Sequence, residues 1–169
     1  ETIKGGFGAR PTKDGINCVA STISNTMNTP VEVLEMSFPV RIEAYEILPD
    51  SGGAGAFRGG CGARRIWRIL GNPATAALCC ERSVSPPFGL MGGRPGTPMR
   101  ITVEGPDGSR RTPVSKGAFI APPGARIVFE TPGSGGYGPP EARDPARLRE
   151  DLIDGYVTPE GARRDYGVD

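Results

Sequence analysis

The chain has 169 residues, enough for one domain that buries roughly two-thirds of its unfolded surface, and 20 basic against 19 acidic residues leave a net charge of +1. That balance, with arginines scattered along the chain, offers no basic face for nucleic acid, and no apolar run approaches the length that spans a bilayer. With no histidine at all, a Ser/His/Asp, Cys/His or His-metal site cannot be built from this chain alone.

Glycine (26) and proline (18) supply about a quarter of the residues. They cluster in separate motifs and the charges balance, so an ordered, loop-rich domain is expected. In chain order, Glu1-Thr-Ile-Lys4 has neither an initiator Met nor a signal-peptide core, and the chain reads as a piece of a longer subunit. Pro39-Val-Arg-Ile-Glu-Ala-Tyr45 alternates apolar Val40, Ile42 and Ala44 with Arg41, Glu43 and Tyr45, the period of a strand with one buried face. Ser51 to Arg65 is dense in glycine and arginine. Gly55 and Gly60 have the outer spacing of a phosphate loop, but Cys61 and Gly62 replace its Lys and Ser or Thr. The next segment, Ala63 to Leu70, has strand composition and cannot serve as a phosphate-binding helix. The glycines before it read as tight turns with positive φ.

Further strands are expected at Ile66 to Leu70, Thr75 to Cys80, Arg100 to Val103 and Ala125 to Thr131, with Pro106-Asp-Gly108 as a hairpin turn. Together they predict a mainly β, antiparallel, loop-rich sandwich or barrel-like body over residues 1–143. Residues 144–169 read as a helical tail packed on it. Asp144-Pro145 caps a first helix that Gly155 stops, and Thr158-Pro159 and Gly167 bracket a second. Cys18, Cys61, Cys79 and Cys80 have neither metal nor disulfide spacing and read as reduced, cytoplasmic thiols.

Six motifs in one order resemble the C-terminal region of the hydantoinase B/oxoprolinase family, nearly end to end: Gly5-Gly-Phe-Gly-Ala-Arg-Pro-Thr-Lys-Asp-Gly15, Asn28-Thr-Pro-Val-Glu-Val-Leu-Glu35, Pro49-Asp-Ser-Gly-Gly-Ala-Gly-Ala-Phe-Arg-Gly-Gly60, Pro86-Pro-Phe-Gly-Leu-Met-Gly-Gly-Arg-Pro-Gly96, Glu130-Thr-Pro-Gly-Ser-Gly-Gly-Tyr-Gly138 and Arg164-Asp-Tyr-Gly-Val168. The resemblance implies an ATP-dependent enzyme that opens a cyclic amide such as a hydantoin or 5-oxoproline or, in related carboxylases, carboxylates a ketone enol. It implies a hydantoinase A-type partner that handles ATP and Mg²⁺, and a divalent metal in that partner or in the N-terminal portion of the B-type subunit. Neither cofactor nor metal is expected in this chain, which is expected to be inactive alone and part of a homo- or hetero-oligomer. A stand-alone β-rich module that holds an anion or small ligand is the alternative.

No catalytic residue is assigned. Arg10 and Asp14 either hold a ligand or staple their loop as an ion pair. Asp50 and Arg58 either contact a ligand or bond turn amides. Glu81, Arg82 and Arg94 flank the Pro86-Pro87 turn and either charge a cleft or form a solvated surface pair. Phe57, Phe88, Leu90 and Met91, in Gly-rich loops, and Tyr137, in a glycine turn, are interface candidates or local packing. The metal expectation is checked by elemental analysis: the purified chain should carry no stoichiometric zinc, manganese or iron.

Overall fold

A computed structural model describes residues 1–24 and 26–168. Seven strands, β1 (Val40–Ile47), β2 (Ala63–Ile69), β3 (Ala74–Cys79), β4 (Arg100–Glu104), β5 (Arg110–Arg111), β6 (Lys116–Ala121) and β7 (Arg126–Glu130), form two sheets. One has five strands in the order β1-β2-β7-β4-β5 and the other pairs β3 with β6, every pairing antiparallel. The expected mainly β, antiparallel body is therefore present as an open sandwich. The barrel-like form is not, because β1 and β5 end the larger sheet without meeting.

The inner faces meet in a core of Ile69, Met99, Ile101, Val103, Ala121 and Ile127, with Ala76, Leu78 and Phe119 of the smaller sheet packed against it. In β1 half-buried Val40, Ile42 and Ala44 alternate with exposed Arg41, Glu43 and Tyr45, as the pattern predicts. The register nevertheless slips at Glu43: Ile42 opposes Trp67, Ala44 opposes Ile66 and Tyr45 opposes Arg65. The bulge turns Tyr45 to the face that Ile42 occupies. On the outer face, Arg64, Arg68, Arg110 and Arg126 interleave with Glu43, Glu46, Glu104 and Glu130 in ion pairs that cross all five strands. Exposed pairs of this kind contribute about 0–1 kcal/mol each, so the ladder keeps this face wet and contributes little to stability.

Asp107 and Gly108 lie in the β4–β5 hairpin turn as expected: Gly105 N–H donates to Ser109 O at 2.8 Å, and Gly108 takes φ +82°. Strands β5 and β6 and helix α1 (Val31–Ser37) carry no clear signal in the sequence. Strand β6 contains Gly117 and lacks a clean buried/exposed alternation, and α1 follows Pro30 with no side-chain cap and buries no residue.

The connecting loops do not behave as the glycines suggested. No glycine between Ser51 and Arg65 has positive φ. Their missing Cβ is used instead for close approach of backbone to backbone. A Cβ on Gly59 would lie 1.9 Å from Ser134 O, on Gly60 2.1 Å from Ile16 O, on Gly133 1.8 Å from Ser51 O and on Gly135 1.8 Å from Phe88 O. Five extended segments, near residues 5–10, 13–18, 51–62, 88–97 and 132–138, are thereby laid side by side. Backbone bonds join them: Gly15 N–H to Arg58 O at 2.7 Å, Gly60 N–H to Phe7 O at 2.8 Å, Gly53 N–H to Ser134 O at 2.8 Å, Ala9 N–H to Gly135 O at 3.0 Å and Gly136 N–H to Arg94 O at 3.0 Å. The buried amides are satisfied by one another.

Helices α2 (Pro145–Ile153) and α3 (Pro159–Tyr166) follow a short 3₁₀ turn, Pro140–Ala142. Their caps are those expected: Asp144 accepts from Ala146 N–H at 2.8 Å, Thr158 Oγ1 accepts from Gly161 N–H at 2.9 Å, and Gly167 ends α3 at φ +69°. Leu148, Val157 and Ala162 form a second, smaller core under them. Among the described residues no helix is long and apolar enough to cross a membrane.

The close-approach reading separates two substitutions. Gly59→Ala should destabilise the chain by about 3 kcal/mol, the upper end of overpacking costs, whereas Gly8→Ala, with nothing within 4 Å of its Cβ position, should stay within about 0.5 kcal/mol. Thermal unfolding of the two variants provides the comparison.

Candidate functional site

Most of the charged candidates meet where the glycine layer joins the helical tail. Arg58 follows the Gly55 to Phe57 turn and is 4% exposed. Its Nε donates to Asp151 Oδ1 at 3.2 Å, its Nη1 to Gly59 O at 2.7 Å and to Asn17 Oδ1 at 3.2 Å, and its guanidinium lies over the Tyr156 ring. Arg143, at the tail's entry, donates from Nη1 to Asp14 Oδ1 at 3.0 Å, from Nη2 to Asp14 Oδ2 at 3.2 Å, and from Nη2 to Asp151 Oδ2. Asp14 also accepts from the Arg58 backbone N–H at 2.6 Å. Two guanidinium groups and two carboxylates thus pair in a largely buried knot, with Arg143 Nε a buried donor left without a partner among the described residues.

The structure repartners the predicted pairs. Asp14 is held by Arg143, while Arg10 is exposed and contributes a backbone bridge to Lys13. Asp50, at φ +57°, bonds a backbone amide outside its own turn, accepting from Thr158 N–H at 2.8 Å and Thr158 Oγ1 at 2.6 Å at the start of α3. Arg94 reaches Asp165 of α3 at 3.1 Å, so it does not join Glu81 and Arg82. The exposed side chains Phe88, Leu90 and Met91 lie outside the core, at 68%, 50% and 73% exposure. Tyr137 is half-buried and its backbone bridges both Phe57 and Leu90.

Burial alone would raise the Asp14 carboxyl. The hydrogen bond and charge of Arg143, with the N–H and charge of Arg58, outweigh it and hold Asp14 below the ordinary carboxylate range. Burial pushes the Cys18 thiol up to about 11 and Tyr166 up to about 12, and raises Cys61 and Cys80 as well. Asp14 is thereby held ionised by its arginines, and burial favours the protonated, less nucleophilic form of these three thiols.

A second feature carries no signal in the sequence. Between the sheets lies a largely apolar cleft of about 750 Å³, lined by Val40, Trp67, Ile69, Leu78, Ile127 and Phe129 among others. Glu81 and Arg82 sit on its rim, where Glu81 pairs with Lys116 at 2.5 Å. Glu1, which lines the cleft, is held from behind by Arg65, 1% exposed on the inner face of β2, which donates to Glu1 Oε1 at 2.7 Å and lies near the Tyr45 and Trp67 rings. Trp67 Nε1 donates to Glu1 Oε2 at 3.1 Å. The dipeptide Arg64-Arg65 did not reveal which arginine turns inward, because that depends on the register of β2.

The residues do not fit the metal or nucleotide that the resemblance places elsewhere. Among the described residues no three His, Cys, Asp or Glu side chains come together for a metal, and Asp14, Asp50 and Asp151 are each bonded to an arginine or to Thr158. The Gly53, Gly59 and Gly60 amides are spent on carbonyls and that of Gly62 on Ser51 Oγ, and β2 follows them where a phosphate site needs a helix.

Because the folded carboxyl of Asp14 is depressed, its stabilisation is present above the unfolded value of about 3.9 and is lost as pH falls through the folded value. Asp14→Asn should cost about 1–3 kcal/mol at pH 7, and its deficit against the native chain should shrink below about pH 4. Asp151→Ala, which leaves buried Arg58 without a carboxylate and removes one of the two that Arg143 bonds, should cost about 3–5 kcal/mol. Urea unfolding at pH 7 and pH 3 measures both.

The sequence pattern of the hydantoinase B/oxoprolinase family matches residues 1–140. The chain is 29% identical over 170 residues to a putative B-type subunit of a D-/L-hydantoinase from Pseudomonas sp., covering 99% of this chain and 28% of that one. It superposes on the ATP-dependent caprolactamase from Pseudomonas jessenii with TM-score 0.82 and 29% identity, over 99% of this chain and 30% of the other. An acetone carboxylase structure shares the fold at TM-score 0.83 and 23% identity, over 98% and 26% of the two chains. The chain spans less than a third of the length of the curated relatives it matches. With the glycine motifs that build its loop layer falling inside the matched span, the chain belongs to the hydantoinase B/oxoprolinase family.

Proposed function

We propose that this chain is a domain of the B-type subunit of an ATP-dependent enzyme that opens a cyclic amide, a hydantoin or lactam, and that it contributes assembly and a wall of the active site. The match across residues 1–140 carries the reading. The likeness to a caprolactamase and to a hydantoinase component supports a cyclic amide as substrate. The acetone carboxylase likeness, at 23% identity, speaks for the fold and not for a reaction.

A structural share of the work is supported by where the charged groups are spent. Arg58, Arg143, Asp14 and Asp151 neutralise one another, and histidine is absent from the sequence. Nucleotide chemistry and metal then belong to an A-type partner and to other parts of the B-type subunit. The exposed Phe88, Leu90 and Met91 loop, bridged to Tyr137, is a surface for such contacts.

Incubating the 169-residue chain with ATP and hydantoin, caprolactam or 5-oxoproline should give no ring opening, and adding the remaining B-type polypeptide with an A-type subunit should restore it. Ring opening by the lone chain would refute this division of labour. In the assembled enzyme, Phe88→Ser with Leu90→Ser should leave the domain's unfolding temperature unchanged and weaken association about tenfold or more, equivalent to roughly 1.4 kcal/mol, read by sedimentation. A destabilised domain with native association would place both side chains in the core.

A further inference from the structure

The smaller sheet covers the larger one incompletely, two strands against five. At about 4.8 Å between neighbouring strands, a breadth of roughly 14 Å lacks a second-layer strand. The register shows which edge of β3 is bare. Cys80 N–H donates to Ser115 O at 2.9 Å, so Leu78, Ala76 and Ala74, opposite Gly117, Phe119 and Ala121, turn their amides toward β6 as well. Thr75, Ala77 and Cys79 turn theirs away from it. The corresponding outward set on β6 includes Ile120, whose carbonyl accepts from Arg111. On its other side β3 has no strand neighbour among the described residues.

This bare edge is a wall of the 750 Å³ cleft. Opposite it stand Val40, Trp67 and Ile69 from β1 and β2, and Glu1 to Ile3 run along one end. Six residues at about 3.3 Å each give an edge of roughly 20 Å. Strand edges left to solvent are normally guarded by charge, proline or a bulge. The two edges of the larger sheet are guarded: β1 by its bulge and Arg41, Glu43 and Glu46, and β5 by being two arginines long. Ala-Thr-Ala-Ala-Leu-Cys, residues 74–79, has no guard of any kind. A small apolar ligand would fill the cleft and leave the edge amides unpaired, whereas an extended polypeptide satisfies both requirements.

We propose that the free edge of β3 pairs with an extended segment of the same B-type subunit, drawn from polypeptide outside these 169 residues, which seats apolar side chains at alternate positions against Val40, Trp67 and Ile69. The source rests on the family reading. Relatives run to more than three times this length, and a segment of the same polypeptide meets the edge at a high effective concentration.

Residue-resolved hydrogen exchange tests this on the 169-residue chain and on the full-length subunit that carries it. In the shorter chain the Thr75, Ala77 and Cys79 amides should exchange about 100-fold faster than those of Ala76, Leu78 and Cys80. In the full-length subunit alone they should slow to match them. Ala77→Pro removes an outward N–H without touching the β3–β6 ladder, and in the full-length subunit it should return Thr75 and Cys79 to fast exchange. Should that variant not fold, thiol labelling of the native protein replaces it: Cys79 should react in the shorter chain and be blocked in the full-length subunit. Edge amides that stay fast in the full-length subunit overturn the proposal. So does protection that appears in the shorter chain with rising concentration, which identifies a second copy, or protection that needs an added A-type subunit. An inactive subunit with a protected edge would defeat the functional reading and leave this one standing.

Discussion

Close contact between glycine backbones is the constraint on which this domain depends. Five extended segments pass one another at distances where a Cβ would overlap a neighbouring carbonyl oxygen, as at Gly59 against Ser134 and Gly133 against Ser51. Glycine loses the most conformational entropy on folding, and these segments have few side chains to bury in return. Their backbone bonds and dense packing must offset that loss together, since each segment's amides find partners only when the others are in place. The layer is therefore cooperative, and each glycine motif requires the rest.

That requirement explains the placement of the charges. A layer poor in apolar side chains offers a helix little to pack against beyond the small core of Leu148, Val157 and Ala162, so polar contacts also fasten the tail. Arg58 rises from the layer to Asp151 of α2, and Arg143 at the tail's entry descends to Asp14. For α3, Asp50 accepts from Thr158 and exposed Arg94 pairs with Asp165. The buried pairs of Asp151 add little net stability over an apolar contact, but breaking one leaves a buried charge alone. The tail is thereby fixed in one position. The same pairing occupies these groups within the fold, and burial raises the Cys18 and Cys61 thiols.

The sandwich has unequal layers, and its edges differ in how they are protected. The outer face of the larger sheet carries a ladder of opposite charges, and its end strands are bulged or very short. Inside, an apolar cleft borders an unguarded strand. This asymmetry suits a domain that is one piece of a larger polypeptide, and it agrees with the fraction of its relatives that the chain spans.

The sequence by itself determined the elements whose signals are local. The strands β1, β2, β3, β4 and β7, the Asp107-Gly108 turn and both capped tail helices follow from periodicity, branching and capping chemistry within a few residues, and the order of the glycine motifs carried the family. Small or weakly patterned segments were not legible: β6 with Gly117, the two-residue β5, and α1 behind Pro30. Tertiary structure alone decided what the glycines are for, since these close approaches are to segments distant in sequence, as Gly59 is to Ser134 and Gly60 to Ile16. It also decided which charges meet. Asp14 lies four residues from Arg10 yet bonds Arg143, and Arg65, indistinguishable in sequence from Arg64, turns inward because the register of β2 sets its face. Local chemistry fixes how a segment bends and caps, whereas partner choice depends on which segments the packed layer brings within bonding distance.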